Sequence, residues 1–78
     1  MVTKRELLEQ NARGEGCLGK TADDEEVFLL CGRDKTAPIR IRDWATAALR
    51  YGVREDKVKE AMGCADRMEL TPNRKLPD

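Results

Sequence analysis

The chain contains no histidine, only one each of tryptophan, tyrosine and phenylalanine, and only three cysteines among its 78 residues. Without histidine, neither a Ser-His nor a Cys-His catalytic pair can form. No two cysteines have the C-x-x-C spacing of a structural zinc site. The longest apolar run, residues 27–31, is far shorter than a membrane-spanning helix. These absences predict a non-enzymatic protein without a metal, a cofactor or a membrane span.

The charges of the chain cancel, because fifteen Lys and Arg residues balance fifteen Asp and Glu residues. A neutral chain has no overall attraction to nucleic acid or to anionic lipid. A chain this short buries only about 60 % of its unfolded surface, and small cores of this kind often gain stability by self-association. The cysteines are odd in number and widely spaced, and the chain shows no signal-peptide pattern, which is typical of reduced thiols. We therefore expect a cytoplasmic homo-oligomer.

The apolar pattern predicts a small, mainly α, four-helix single domain over residues 1–78. Thr3 and Glu6 form a capping box that begins a short helix within residues 1–13. The glycine-rich residues 14–21 predict a loop. The continuous apolar run within residues 26–31 fits either a short helix or a buried strand, and we favour the helix.

Residues 37–70 predict a helical hairpin. From position 41, apolar residues recur at i, i+3, i+4 and i+7, so that Trp44 is expected to be the largest contributor to the core. Gly52 ends the first helix, and helical spacing resumes from Val58. Residues 71–78, which contain two prolines, are expected to leave the second helix and to run along the surface or fray.

Residues 14–21 read Gly-Glu-Gly-Cys-Leu-Gly-Lys-Thr and match the phosphate-binding pattern G-x-x-x-x-G-K-[ST]. A working P-loop follows a strand, begins a helix and needs an aspartate on a second strand to hold magnesium. Here a helix precedes the loop and no second strand can be placed, so NTPase activity is not expected. A weaker interpretation stays open, in which Lys20 and the loop contact an anion, although the acidic residues that follow would oppose it.

A second candidate site lies at the start of the hairpin. Basic side chains at a helix N-terminus, beside an aromatic ring, are suited to hold a phosphate and to stack a base. The alternative interpretation places Trp44 in the core and pairs the basic side chains with nearby carboxylates. We predict a composite ligand-binding site made of Lys20, Arg33, Lys35, Arg40 and Trp44.

The hairpin also fits a helix-turn-helix pattern, in which Ala48, Gly52 and Val58 occupy the small-residue, turn and buried-aliphatic positions. The second helix, however, carries five acidic side chains against four basic ones, which makes it a poor match to a phosphate backbone. A helix-turn-helix DNA-binding regulator is therefore the alternative function, and nucleic acid is a less expected partner.

Three stretches of the chain follow a pattern of the form D-E-x-V-F-x-L, then D-x-x-A-P, then W-A, at residues 24–30, 34–38 and 44–45. This pattern resembles that of a widespread family of small uncharacterised proteins encoded by phages and prophage-bearing bacteria, and the likeness covers about residues 16–70. The resemblance implies a phage-type accessory protein that works in the host cytoplasm by occupancy. Such a protein would counter host defence by sequestering a nucleotide-like anionic ligand or by blocking a host protein.

Overall fold

The computed structural model describes residues 2–76, in which four helices occur: α1 (Lys4–Ala12), α2 (Gly16–Gly19), α3 (Ala37–Arg50) and α4 (Glu55–Glu69). Helix α2 is a single turn of 4 residues, so three longer helices form the body of the fold. Within the described residues there is no strand, and the single β-bridge joins Asp34 to Lys75 in parallel. The prediction of a small, mainly α single domain is confirmed. The positions of the helices differ in two places: α2 lies within the predicted loop at residues 14–21, and the helix favoured at residues 26–31 is not formed.

The apolar run differs most from expectation, because residues 26–31 form neither the favoured helix nor a strand. A β-turn bounds the segment on each side: Glu25 N–H donates to the carbonyl of Ala22 at 3.1 Å, and Asp34 N–H donates to that of Cys31 at 3.0 Å. A short element needs a neighbouring surface to bury its apolar face. No such surface covers this segment within residues 2–76, since Phe28 is 86 % exposed and Leu29 69 % exposed.

Helix α1 begins as predicted, and its contacts with the other described helices are limited to α2. The N–H of Glu6 donates to the side-chain oxygen of Thr3 at 3.3 Å, which satisfies one of the free donors of the first turn. Among the helices of residues 2–76, α1 contacts only α2. No residue of α1 is buried, and Leu8 stays 54 % exposed. Helices α1 and α2 therefore pack on each other and not on the other two described helices.

Helices α3 and α4 pack against each other and form the predicted hairpin, with the core between them. The buried residues on the two helices are mostly small: Ala37, Pro38, Ala45 and Ala48 on α3, and Val58, Ala61 and Ala65 on α4. The prediction that Trp44 is the largest core residue is wrong, because its side chain is 48 % exposed. Alanines at the contact let the helices approach closely, which leaves no room for an indole between them.

Arg42 joins the two helices of the hairpin at its open end. Its guanidinium donates to Asp66 Oδ1, with Nη2 at 2.8 Å, and also to the carboxylate of Glu69. The hydrogen bond from Arg42 holds the pKa of Glu69 below its ordinary value, and the two carboxylates raise the pKa of Arg42. This pair of bonds supplements a core that buries little apolar area.

Candidate functional site

The C-terminal tail returns to the turn that precedes α3. Lys35 N–H donates to the carbonyl of Lys75 at 2.8 Å, and Lys75 N–H donates to the carbonyl of Arg33 at 2.7 Å. The Arg74 guanidinium donates to the carbonyls of Asp34 at 3.3 Å and Lys35 at 3.1 Å. The tail is thus tied to the turn by backbone and side-chain bonds.

The sequence predicted that residues 71–78 would run along the surface or fray. Residues 74–75 dock on the turn, a contact that the sequence did not predict, and residues 77–78 lie outside the described part of the chain. The reversal begins at Asn73, whose φ of 57° is in the left-handed region that asparagine tolerates better than most residues. The Pro72-Asn73 pair is a turn signal in the sequence that indicates this reversal.

Asp34 organises the turn from within. Its Oδ1 atom accepts hydrogen bonds from the hydroxyl and the backbone N–H of Thr36, both at 2.7 Å. The hydroxyl bond, then the backbone bond and the charge of Arg74 together hold the pKa of Asp34 below its ordinary value. The carboxylate is therefore ionised at neutral pH and already bonded.

These contacts gather basic side chains around the N-terminus of α3. We call five residues the basic cluster: Arg33, Lys35, Arg40, Arg74 and Lys75. The first three were predicted from the sequence, whereas the last two were missed, because they reach the turn only through the fold of the tail. A positive helix N-terminus adds to the same field.

Arg40 and Trp44 lie one helical turn apart on α3, so their side chains share one side of the helix. Arg40 Nη1 lies 3.3 Å from Asp43 Oδ2, and since both side chains are well exposed, this ion pair is weak. Tyr51 follows seven residues after Trp44 on the same side and is also exposed. This flank of α3 presents a cation followed by two accessible aromatic rings.

Lys20 lies at the end of α2, not in the turn before α3 that carries most of this cluster. It caps the C-terminal end of α2, and within residues 2–76 neither α1 nor α2 contacts α3 or α4. In a P-loop the corresponding lysine begins a helix and points at phosphate, whereas here it ends one. Its backbone N–H donates to the carbonyl of Gly16 at 3.2 Å, so this donor is already used within α2.

The glycines of residues 14–21 have a packing explanation. Gly14 and Gly16 have φ values of 69° and 72°, which side-chain-bearing residues rarely adopt. A Cβ on Gly16 would lie 2.5 Å from Gln10 Oε1, and a Cβ on Gly19 would lie 2.7 Å from the carbonyl carbon of Gly14. The glycines therefore let the chain reverse and let α2 press against the end of α1.

The helix-turn-helix alternative meets the expected order of α3, turn and α4, but α4 begins with the carboxylates Glu55 and Asp56. Those carboxylates lie at the helix end where a phosphate would otherwise be attracted. They also pair with neighbouring cations: Asp56 lies 3.5 Å from Arg54, and Glu55 lies 3.9 Å from Lys59. The charges of α4 favour self-pairing over contact with a DNA backbone.

Within residues 2–76, no group of three or more His, Cys, Asp or Glu side chains is arranged to hold a metal ion. Across the same range, no helix has both the length and the apolar character required to cross a bilayer. No family model, curated protein or solved structure matches this chain.

Proposed function

We propose that this protein is a non-enzymatic binding protein that takes an anionic, ring-bearing small molecule of the nucleotide class at the basic cluster. The observation that supports the proposal is the docking of the tail on the turn before α3. This docking adds the charges of the tail to Arg33 and Lys35 at a helix N-terminus, about two turns of α3 away from the half-exposed ring of Trp44. A phosphate and a base require those two surfaces side by side.

The residues divide the recognition between them. Arg33 and Lys35 face the phosphate with the positive end of α3, and Arg74 holds the turn between them in place through the carbonyls of Asp34 and Lys35. Trp44 stacks on the base, a contact that contributes about 1–3 kcal/mol per base in other proteins. Arg40 lies between the two and exchanges its exposed partner Asp43 for the ligand.

The role that we propose for this binding, on the basis of the resemblance to phage-encoded proteins, is to sequester a signalling nucleotide of a host defence system. In this proposal the protein works as a homo-oligomer in the host cytoplasm. Blocking a host protein is the other form of the same role, and the exposed side chains of Phe28 and Leu29 favour it as a second candidate.

The test uses the fluorescence of Trp44, the one tryptophan of the chain. The full chain is titrated with nucleoside mono- and triphosphates and with cyclic nucleotides, and in parallel with inorganic phosphate and with an uncharged nucleoside. We expect nucleotides to quench the fluorescence and to raise the melting temperature. Phosphate alone should raise the melting temperature without quenching, and the nucleoside alone should do neither.

Matched variants locate the site. Lys35→Gln and Arg33→Gln are each expected to weaken nucleotide binding by about tenfold, the effect of losing one charge-assisted hydrogen bond. Lys57→Gln is the control, because Lys57 lies in the first turn of α4, about 20 Å along the hairpin from the N-terminus of α3. Equal loss in all three variants, or no response of the wild-type chain to any ligand, would contradict the proposal.

A further inference from the structure

Most side chains of residues 27–31, which we call the apolar segment, are exposed, and most of its backbone groups lack a backbone hydrogen bond. Val27, Phe28 and Leu29 are all exposed, and such β-branched, aromatic and aliphatic residues fit a pleated strand well. Within residues 2–76, none of the N–H or carbonyl groups of residues 27–30 takes part in a backbone hydrogen bond. The segment has the usual length of a strand and is bounded by turns, but within residues 2–76 no second strand pairs with it.

The surface of the whole chain also exceeds that of a compact monomer. Its accessible area is 6412 Å², whereas a folded monomer of this length exposes about 4,800 Å². The radius of gyration is 13.4 Å, against about 11.5 Å for a compact domain of the same length. The excess area is larger than the roughly 800 Å² that each partner loses in a standard interface.

The charges on both sides of the apolar segment indicate which surface pairs with it. An acidic run at residues 23–26 precedes the apolar segment, and the turn that follows it carries Arg33 and Lys35. If two copies pair in antiparallel, the acidic run of each copy lies beside the basic turn of the other. Parallel pairing would instead place like charges next to each other, which is destabilising. The sequence around the segment is therefore complementary to itself in one direction only.

We propose that residues 27–31 pair in antiparallel with the same residues of a second copy of the chain, about a two-fold axis through Leu29. This register pairs all five residues of the segment, with Val27 opposite Cys31 and Phe28 opposite Leu30. A two-fold contact uses the same surface on both chains and closes after two copies, and it pairs one backbone edge of each segment.

Disulfide trapping tests both the direction and the register. In a background of Cys17→Ser and Cys64→Ala, the substitution Val27→Cys leaves two thiols per chain, at positions 27 and 31. In the proposed register these positions face each other across the strand pair, where Cβ atoms approach closely enough for a disulfide. Mild oxidation is expected to give a covalent dimer that reducing agent returns to single chains.

Two matched variants in the same background serve as controls. The background alone, with only Cys31, is expected to remain uncrosslinked, because antiparallel pairing separates the two Cys31 residues. Val53→Cys, which adds an exposed thiol in the turn between α3 and α4, is also expected to remain uncrosslinked. Crosslinking of the background as efficient as that of Val27→Cys would overturn the antiparallel arrangement.

The solution mass gives the second readout. The wild-type chain is expected to have twice the mass of one chain, and Leu29→Lys, which sets two charges against each other on the axis, is expected to halve it. Leu49→Lys, a change at an exposed leucine of α3, should leave the dimer intact. Circular dichroism establishes that each variant keeps its helices. A monomeric wild-type chain at its highest soluble concentration, or an open-ended assembly, would overturn the proposal.

Discussion

Gly63 lies in the middle of α4, where glycine is a poor choice for a helix. A Cβ added at this position would meet only the tip of a flexible side chain, with Arg67 Nη1 at 3.2 Å. Gly63→Ala is therefore expected to stabilise the hairpin, because alanine has the higher helix propensity and loses less backbone entropy on folding. The gain in the free energy of unfolding should be about 0.5–1 kcal/mol, slightly reduced by the shift of Arg67.

For a domain of this size, 1 kcal/mol raises the melting temperature by roughly 4–8 °C, so the expected shift is about 2–8 °C. Thermal unfolding followed by the fluorescence of Trp44 measures it, since Trp44 belongs to the same hairpin. The control is Gly52→Ala in the turn between α3 and α4. Gly52 has a φ of 81°, and a Cβ added there would meet nothing within 4 Å, so only backbone strain acts. That variant should lose about 1 kcal/mol.

Shifts in melting temperature of opposite sign for Gly63→Ala and Gly52→Ala would support the packing described for the hairpin. A fall in melting temperature for Gly63→Ala would refute the reasoning, because it would mean that another surface presses on this side of α4.

Three further outcomes are expected. The bond from Arg42 holds the pKa of Glu69 below its ordinary value. The ion pair therefore stabilises the fold at pH values above the ordinary pKa of the carboxyl group, and this stabilisation is lost as the pH falls through the lowered pKa. The difference in melting temperature between the wild-type chain and Arg42→Met should therefore shrink on acidification from neutral pH, and a constant difference would contradict this. Gly19→Ala, whose methyl would collide with the backbone of Gly14, should separate α2 from α1 and speed protease cleavage there, whereas wild-type cleavage rates would refute the contact. Thr3→Ala removes the cap of α1 and should lower helical circular dichroism, at a local cost of about 1 kcal/mol, without moving the unfolding of the hairpin seen by fluorescence.

The hairpin was predictable because its apolar spacing repeats over many residues, and each repeat reinforces the assignment. The error on Trp44 has a physical origin. Spacing identifies a stripe of the helix, but how much of the stripe is buried depends on how closely the partner helix approaches. The alanines of α4 set that distance, so the indole at the edge of the stripe stays half exposed.

The basic cluster was predictable only in its local part. Arg33, Lys35 and Arg40 are close in sequence, whereas Arg74 reaches Asp34 across 40 positions. Such a long-range contact depends on which surface the tail meets after it turns, and the local turn signal at Pro72-Asn73 does not indicate that surface. Residues 26–31 were mispredicted for a related reason: a short apolar run indicates that something should bury it, but not what the burying surface is.

Because neither helix of the α1–α2 pair contacts α3 or α4 within residues 2–76, we expect this pair to open at a lower free energy than the hairpin. Separate opening would give different unfolding midpoints by fluorescence and by circular dichroism. Fluorescence follows only the hairpin, which holds Trp44, while circular dichroism adds the two helix pairs. A difference between the midpoints of the two curves would then show that the α1–α2 pair and the hairpin unfold separately. If the two midpoints converge when a ligand or a second copy of the chain is added, binding couples the two helix pairs.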